Sequence, residues 1–264
     1  MMETRILKSL KERIRAGEVV FGGTVSEHLR PSVIKAFRNA GFDFIYIENE
    51  HAWFEPSRLS DFVLCARDNG LTVIAKIPQL ERGETARLLE MGVMGLQLPR
   101  TESRQDVETL RSYMKFPPDG TRASATGYGN TMYAKPADKR TWYNEANAET
   151  LVVSHIETQT GADNAGEINS AEDLDICFVG ISDLSLDLGM PGRYTDPEFQ
   201  AAVQRIIDAS EKHNVVRGLP GLGYDQTKYW IDHGVQFFEC ASELDLIRSG
   251  AAQAFDDLQR ARSS

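Results

Sequence analysis

The chain has 264 residues, 41% of them hydrophobic and 26% charged, and a formal net charge of −10. This composition is typical of a globular protein with a sizeable core, and about 250 residues is also the usual length of one α/β barrel. The acidic balance argues against nucleic acid and anionic membrane surfaces as partners, because both are bound through basic patches.

The cysteines and the N-terminal segment indicate the compartment. Cys65, Cys177 and Cys240 are far apart and form no C-x-x-C pair, so we expect reduced, mostly buried thiols. Segment 1–17 is predicted to be a charged amphipathic helix, without the apolar run of a signal peptide. No apolar stretch reaches the roughly 18 residues of a membrane span. We therefore expect a cytoplasmic protein.

Along the chain, short β-rich runs alternate with helical patterns. The predicted strands are 19–26, 42–51, 72–78, 95–100, 150–157, 176–185, 215–221 and 236–242. Several are apolar on nearly every residue, as expected where both faces of a parallel sheet are buried. The polar stretch 117–147 is predicted to be a long loop, which in a compact domain is usually functional or mobile.

Eight strand–helix units over about 250 residues predict a (β/α)8 TIM barrel. We expect it to span 1–264 as a single domain, with an extra N-terminal helix. A doubly wound open sheet is the alternative, but it would normally carry a glycine-rich phosphate-binding fingerprint after the first strand. The pair Gly22-Gly23 is too short for one.

Polar residues that core packing does not explain gather where the predicted strands end. Active sites of such barrels lie at the C-terminal ends of the strands. The residues found there are Glu48, Glu50 and His51 after the second strand, Lys76 after the third, His155 and Glu157 after the fifth, and Ser182 and Asp183 after the sixth.

Glu157 and Asp183 end neighbouring strands, so their carboxylates can converge on one point. Two carboxylates alone would repel each other, and a hard divalent cation removes that repulsion. A 2-oxo acid would chelate such a cation through its carboxylate and carbonyl oxygens, and the cation would stabilise an enolate. The alternative is that both acids cap the helices that follow them.

Two histidines and a lysine complete this set of candidates. His51 is either a general base, since imidazole titrates near neutral pH, or a structural histidine of the rim. Lys76 ends an apolar strand and either holds a carboxylate as a point charge or forms a Schiff base with a lowered pKa. His155 shares a strand face with Glu157 and can touch substrate, touch metal or only fill the barrel.

The chain resembles the HpcH/HpaI aldolase family, the metal-dependent class II pyruvate aldolases. The segments that carry the resemblance are GFDFIYIENEH (41–51), LLEMGVMGLQLPR (88–100), FPPDGTR (116–122), VVSHIET (152–158) and FVGISDLSLDLG (178–189). It implies a (β/α)8 barrel, usually a hexamer with the C-terminal helix exchanged between subunits. It also implies reversible cleavage of a hydroxy-2-oxo acid to pyruvate, or a similar 2-oxo acid, and an aldehyde through a metal-bound enolate, with Mg2+, Mn2+ or Co2+ as the cofactor.

The resemblance implies catalytic and metal-binding roles for individual residues. Glu157 and Asp183 match the two metal ligands of the family, and His51 matches its catalytic base. Glu90 falls where the family has a carboxylate that pairs with this histidine across a subunit boundary, which would require a homo-oligomer.

The resemblance also implies substrate contacts. Gly180 and Ser182 fall in a loop whose N–H groups hold the oxo-acid carboxylate, and Arg122 lies in a proline-rich loop near the site entrance. Lys76 and His155 are substrate contacts that depart from the family, which has arginine and glutamine there. The other departures are Glu48 for aspartate, Ala123 for glycine, and Glu239 and Ala241 for an apolar residue and glycine.

These departures predict an intact metal site with an altered substrate pocket, and three alternatives to an aldolase remain. The first is a metal-dependent condensing or decarboxylating enzyme that uses the enolate of oxaloacetate or pyruvate with a non-aldehyde acceptor. The second is a Schiff-base enzyme that acts through Lys76. The third is a barrel kept as a binding protein without catalysis.

Overall fold

Eight short runs rich in Val, Ile and Phe form parallel strands that close into a barrel in chain order. In the computed structural model, which describes residues 8–263, they are β1 (Val20–Val25), β2 (Phe44–Ile47), β3 (Thr72–Lys76), β4 (Gly95–Leu98), β5 (Leu151–Ile156), β6 (Ile176–Val179), β7 (Val216–Pro220) and β8 (Phe237–Ser242).

Helices follow the strands and cover their outer faces. They are α1 (Leu10–Arg15), α2 (Pro31–Ala40), α3 (Pro56–Asp68), α4 (Arg82–Met91), α5 (Arg104–Met114), α6 (Lys139–Glu149), α7 (Gln159–Asp163), α8 (Ala165–Asn169), α9 (Ile181–Asp187), α10 (Pro197–Lys212), α11 (Tyr224–Asp232) and α12 (Glu243–Ser263). Local signals set their ends: α2 begins at Pro31 and stops at Gly41, whose φ of 100° favours glycine. None of the described helices is long and apolar enough to cross a bilayer.

The first strand closes the sheet by pairing on both sides. Gly22 lies opposite Phe44 of β2 and opposite Glu239 of β8. A sheet whose first and last strands pair has no open edge. The TIM-barrel prediction is therefore confirmed, and the doubly wound open sheet is wrong.

The barrel interior is packed with aromatic and branched side chains. The rings of Phe44 and Phe237 stack with their centroids 4.5 Å apart. Gly22 makes room for them, since a Cβ at this position would lie 2.2 Å from the Phe44 ring. Leu10 and Ile14 of α1 join the same apolar cluster, so the extra N-terminal helix closes the end of the barrel where the strands begin. The predicted helix over 1–17 is thus shorter, and residues 1–7 lie outside the described part of the chain.

Two predicted strands end well before their expected last residue. The strand predicted to reach His51 stops at Ile47, because the Glu48 carboxylate accepts the N–H groups of Glu50 and His51 at 2.9 and 3.2 Å and folds them into a turn. The strand predicted to reach Ser185 stops at Val179. There the N–H of Leu184 donates to the carbonyl of Gly180 at 2.9 Å and starts α9.

The predicted loop over 117–147 is partly helical. Asp138 accepts the N–H of Arg140 at 3.0 Å and begins α6 inside this stretch. Trp142 and Tyr143 of α6 then pack on Phe116, with centroids 5.5 and 4.5 Å from its ring. This aromatic packing orders a segment whose polar composition predicted a loop.

Replacing Gly22 by alanine should destabilise the barrel by about 1–3 kcal/mol, the typical cost of overpacking a full core. Urea unfolding of the variant and of the wild type measures the change. The matched control is Gly166→Ala in α8, where nothing lies within 4 Å of an added Cβ. We expect the control to keep or slightly raise stability, because alanine favours helix. Equal stability of the two variants would contradict the packing described here.

Candidate active site

A pocket of about 350 Å³ opens where the strands end at their C-terminal side. It lies above the aromatic layer of the barrel, and its walls come from most of the strands and from the turns that follow them. The structure brings six of the predicted site residues together in it: His51, Lys76, His155, Gly180, Ser182 and Asp183. Glu48 and Glu239 also line the pocket.

Lys76 is a buried cation held by two carboxylates. It is 3% exposed, and its Nζ lies 2.5 Å from Glu50 Oε2 and 3.8 Å from Glu157 Oε2. Burial alone would lower the pKa of this amine, but the carboxylates of Glu157, Glu48 and Glu50 raise it above its ordinary value. The ammonium therefore stays charged, as a point-charge role requires. A Schiff-base lysine needs the opposite shift of its pKa.

Glu157 directly follows β5 and is 3% exposed. Its Oε1 accepts the N–H of Arg100 at 2.8 Å. The buried Oε2 has no hydrogen-bond partner among the described residues, although His155 Nε2 lies 3.3 Å away. Burial raises the pKa of Glu157 above its ordinary value, against an opposing effect of Lys76. The charge of Asp183 adds to this increase in the pKa of Glu157.

The two acids differ in their relation to the following helices. The helix after Glu157 is capped by Thr158, which accepts the N–H of Gly161 at 3.0 Å, so the structure does not support a capping role for Glu157. Asp183 is exposed and lies in the first turn of α9, where its charge is favourable near the helix N-terminus. For Asp183 a helix-stabilising role and a metal-ligand role are compatible.

His155 points into the barrel directly above the aromatic layer. Its ring packs edge-on against Phe178, with centroids 5.0 Å apart. Neither ring nitrogen has a hydrogen-bond partner among the described residues. Burial lowers the pKa of His155 well below its ordinary value, and the charges of Lys76 and His51 lower it further. The imidazole is therefore neutral, with one nitrogen free to donate and the other to accept.

His51 lies on the turn after β2 with its side chain exposed, and its Nε2 is 3.5 Å from Glu50 Oε2. Among the described residues no hydrogen bond or ion pair joins it to Glu90. The contact between this turn and α4 is made instead by Asn49, whose side-chain amide donates to Glu84 at 3.2 Å. The pairing of His51 with Glu90 that the resemblance implies is thus not made within one chain.

A second group of side chains can also converge on a cation. One ligand atom from each of Glu48, Glu50 and His51 lies within 4.8 Å of the others. However, the Lys76 ammonium already lies 2.5 Å from Glu50, so a cation here would meet a positive charge. The Glu157 Oε2 oxygen, which has no hydrogen-bond partner among the described residues, lies farther from the same ammonium, at 3.8 Å.

Gly180 turns the chain from β6 into α9. A Cβ here would lie 2.2 Å from His155 Nε2, so glycine is required. Its own N–H donates to Ile156 at 2.9 Å, so Gly180 supplies space and not the free donor that the resemblance implies. The first N–H group of α9 that makes a helical hydrogen bond is that of Leu184. The N–H groups of residues 181–183, which lie beside the pocket, therefore have no helical acceptor.

Arg122 lies outside this pocket. It lines a separate one of about 180 Å³ with residues 92–94 and Thr150, which precede β4 and β5, and so sits near the opposite end of the barrel. Its guanidinium lies 4.5 Å over the ring of Phe116. Burial lowers the pKa of Arg122 to about 10, against an opposing effect of Glu90. The expected place near the site entrance is not found within one chain.

Two buried polar residues at this end of the barrel were not among the predicted site residues: Gln97 was not singled out, and Glu239 was noted only as a departure from the family. Gln97 of β4 is fully buried and Glu239 of β8 is 7% exposed. Neither the Gln97 amide nor Glu239 Oε1 has a hydrogen-bond partner among the described residues. Each interrupts an otherwise apolar strand at an inward position, which is the signal that could have identified both.

Glu239→Gln should change how stability depends on pH. Burial raises the pKa of Glu239 well above its ordinary value of 4.5, opposed by Lys76 and strengthened by Glu48 and Glu157. The folded protein therefore keeps a proton that the unfolded chain releases. This contribution to stability is complete below the ordinary pKa and is lost as the pH rises toward the folded-state value.

We expect Glu239→Gln to be more stable relative to wild type at about pH 8 than at about pH 4.5, because the amide does not titrate. Urea unfolding at both pH values, with EDTA present, measures the difference. A pH dependence that is identical in the two proteins would contradict the assignment of a proton to Glu239.

Comparison with known proteins gives the class of this barrel. Residues 26–249 match the family model described as HpcH/HpaI aldolase/citrate lyase. The chain therefore belongs to the HpcH/HpaI aldolase/citrate lyase family, as its motifs predicted. It is an enzyme of the aldolase and lyase class, and the prediction of a binding protein without catalysis is not supported.

Individual relatives agree with this assignment. A 5-keto-4-deoxy-D-glucarate aldolase from Shigella boydii is 26% identical over 224 residues, which is 84% of this chain and 85% of the relative. An HpcH/HpaI aldolase from Desulfitobacterium hafniense superposes with a TM-score of 0.90 at 24% identity, over 96% of this chain and 97% of that one. The citrate synthase SbnG superposes with a TM-score of 0.87 at 23% identity, over 97% of this chain and 99% of that one. Macrophomate synthase superposes with a TM-score of 0.81 at 19% identity, over 96% of this chain and 91% of that one. These structures share the barrel fold.

Proposed function

We propose that this enzyme is a divalent-metal-dependent carbon–carbon lyase. It would reversibly cleave a hydroxy-2-oxo acid into pyruvate, or a similar 2-oxo acid, and an aldehyde. The observation that carries the proposal is the buried Glu157 carboxylate, with one oxygen held by the Arg100 N–H and the other unpartnered, and with its pKa raised further by the charge of Asp183. The family, and the sugar-acid aldolase among its relatives, support this reaction class.

Glu157 and Asp183 would hold the cation, which would be Mg2+, Mn2+ or Co2+. Carboxylate oxygens are the ligands that hard divalent cations prefer, and the positive charge would favour the ionised form of Glu157, whose pKa is raised by burial and further by the charge of Asp183. When bound, such a cation supplies Lewis-acid polarisation of a carbonyl oxygen. His155, neutral and 3.3 Å from Glu157, would offer a hydrogen bond to the substrate.

Lys76 and the start of α9 would bind the oxo acid. The Lys76 ammonium is the one lysine or arginine charge among the described residues of the pocket, and it would attract an oxo-acid oxygen as a point charge. The N–H groups of residues 181–183, with Ser182 among them, would donate to the carboxylate. Gly180 would keep this turn close to His155.

His51 would move the proton of the reaction. In the cleavage direction it would take the proton from the substrate hydroxyl that becomes the aldehyde oxygen, because imidazole exchanges protons near neutral pH. Its neighbour Glu50, 3.5 Å away, would stabilise the imidazolium formed. Its exposed position at the pocket edge leaves the ring accessible to substrate.

We further propose that the enzyme is a homo-oligomer, a hexamer by resemblance. A pairing of Glu90 with His51, and any contact of Arg122 with substrate, both require a second copy because one chain does not make them. The last helix supports assembly, because it leaves four large apolar side chains exposed in a single chain: Leu246, Ile247, Phe255 and Leu258.

Glu157→Ala, Asp183→Ala and EDTA should each lower the cleavage rate by at least about 100-fold, since Lewis-acid stabilisation is worth several kcal/mol. Coupled detection of released pyruvate measures the rate, and Mn2+ should restore it after EDTA but not in the variants. Full activity after any of these treatments would refute the proposal.

Calorimetric titration with Mn2+ separates the two places where a cation can bind. We expect Glu157→Ala to lose binding and Glu48→Gln to retain it. The opposite pattern would place the cation between Glu48, Glu50 and His51 and would remove Glu157 from the proposed metal site.

Lys76→Met should raise KM for the oxo acid by at least about 10-fold, since a charge-assisted hydrogen bond is worth about 1.5–3 kcal/mol. Borohydride added to the wild type with pyruvate should leave the protein mass unchanged, because the charged amine does not attack a carbonyl. A reduced pyruvate adduct on Lys76 would overturn the point-charge role and support the Schiff-base alternative.

The same pocket chemistry would serve the condensing or decarboxylating alternative. Oxaloacetate as the donor separates the two reactions. Release of CO2 from oxaloacetate much faster than cleavage of any hydroxy-2-oxo acid would replace the aldolase with an enzyme that passes its enolate to a non-aldehyde acceptor.

A further inference from the structure

Glu239 points into the pocket from β8. Phe237, two residues earlier, stacks on Phe44 inside the barrel with centroids 4.5 Å apart. Alternate residues of a strand share a face, so Glu239 points inward one layer higher. It lines the pocket, is only 7% exposed and is flanked on β1 by Gly22, which has no side chain to cover it.

One oxygen of the Glu239 carboxyl group, Oε1, is buried without a hydrogen-bond partner among the described residues. Gln97 is close enough to lower the pKa of Glu239, but neither polar atom of its amide makes a hydrogen bond of good geometry to a described residue. The ammonium of Lys76 acts on Glu239 but is paired with Glu50 at 2.5 Å. A buried polar group of this kind needs a partner from water or from a ligand.

Burial, more than the surrounding charges, raises the pKa of Glu239 and favours its neutral form. Glu48 and Glu157 oppose its ionisation, and burial does so most strongly, while Lys76 acts in the other direction. The phenol of Tyr46 lies in the same surroundings and is itself kept neutral by burial. A neutral carboxyl group offers one donor and one acceptor.

Glu239 lies apart from the proposed metal site. The metal ligands follow β5 and β6, whereas Glu239 is on β8, with β7 between them. The pocket runs from residues 181–183 past Pro220 and Gly221 to the wall formed by β8 and β1, so this wall is within reach of the part of the substrate beyond the oxo acid. This wall also carries the hydroxyl groups of Thr24 and Ser242.

We propose that Glu239 is a specificity-determining residue that selects an aldehyde with a hydroxyl group beside its carbonyl, through a hydrogen bond between that hydroxyl and the Glu239 carboxyl. The inference rests on the proposed function and specifies the kind of aldehyde that the enzyme would use. A hydroxyl matches a group that both donates and accepts. An apolar aldehyde would leave Glu239 Oε1 unpaired, and an anionic one would face Glu48 and Glu157.

The test compares glycolaldehyde with propionaldehyde, in which a methyl group replaces the hydroxyl. Wild type with pyruvate and Mn2+ should favour glycolaldehyde in kcat/KM by at least about 100-fold, because a site built for a hydroxyl rejects the analogue that lacks it. Glu239→Leu should bring the ratio to about 1 by raising KM for glycolaldehyde. Glu239→Gln, which also donates and accepts, should keep the ratio within about threefold of wild type.

Exchange of the pyruvate methyl protons in D2O, followed by NMR, reports the oxo-acid half of the site without an acceptor. We expect exchange in wild type and in both variants. No exchange in wild type would refute the proposed function. Exchange in wild type together with an unchanged ratio in Glu239→Leu, or with no preference for glycolaldehyde in wild type, would overturn the role of Glu239 alone. Loss of exchange in both folded variants would also overturn it, since Glu239 would then serve the whole site.

If Glu239→Leu does not fold, the preference of wild type and the behaviour of Glu239→Gln still decide the inference. A wild-type ratio near 1 contradicts it. A kcat/KM ratio that falls to about 1 in the folded Glu239→Gln variant also contradicts it, because that variant keeps the hydrogen-bonding capacity on which the proposed selectivity depends.

Discussion

The buried ammonium of Lys76 is the interaction on which the upper half of this barrel depends. It lies 2.5 Å from Glu50 and 3.8 Å from Glu157, with both Lys76 and Glu157 almost fully buried. Removing one partner of a buried ion pair costs about 3–5 kcal/mol, because the other charge is left without compensation. The position of the Glu50 turn and the ionisation of Glu157 are therefore linked to this one side chain.

The single positive charge of Lys76 does not neutralise the acidic residues of the pocket. Besides Glu50, the acids Glu48, Glu157 and Asp183 lie at the same end of the barrel, and the pKa of Glu157 is raised by burial and further by the charges of Asp183 and Glu50. An anionic 2-oxo acid would be repelled by such a pocket. A divalent cation inverts the local field, which is why the electrostatics of these residues favour a metal-assisted reaction.

The sequence predicts the barrel and most of the pocket, because both depend on local patterns. Apolar runs predicted all eight strands, and the position of polar residues at strand ends selected Lys76, His155 and Glu157. Strand ends were less accurate: the turn made by the Glu48 carboxylate and the start of α9 at Gly180 depend on individual hydrogen bonds that periodicity does not detect.

Other features required the three-dimensional structure. Arg122 belongs to a motif that suggested the site entrance, but tertiary packing on Phe116 places it in a different pocket. The pairing of Glu90 with His51 concerns contacts between copies, which the order of residues in one chain does not define. Glu239 stood out in the sequence only as a departure from the family pattern, and its place in the pocket depends on the closure of β8 onto β1.

The most direct test of the metal-site proposal is anomalous diffraction from crystals of the enzyme soaked with Mn2+ and pyruvate. We expect a manganese peak between the carboxylates of Glu157 and Asp183, with the oxo-acid density beside Lys76. A peak among Glu48, Glu50 and His51, or pyruvate bound with no manganese near Glu157, would contradict the account.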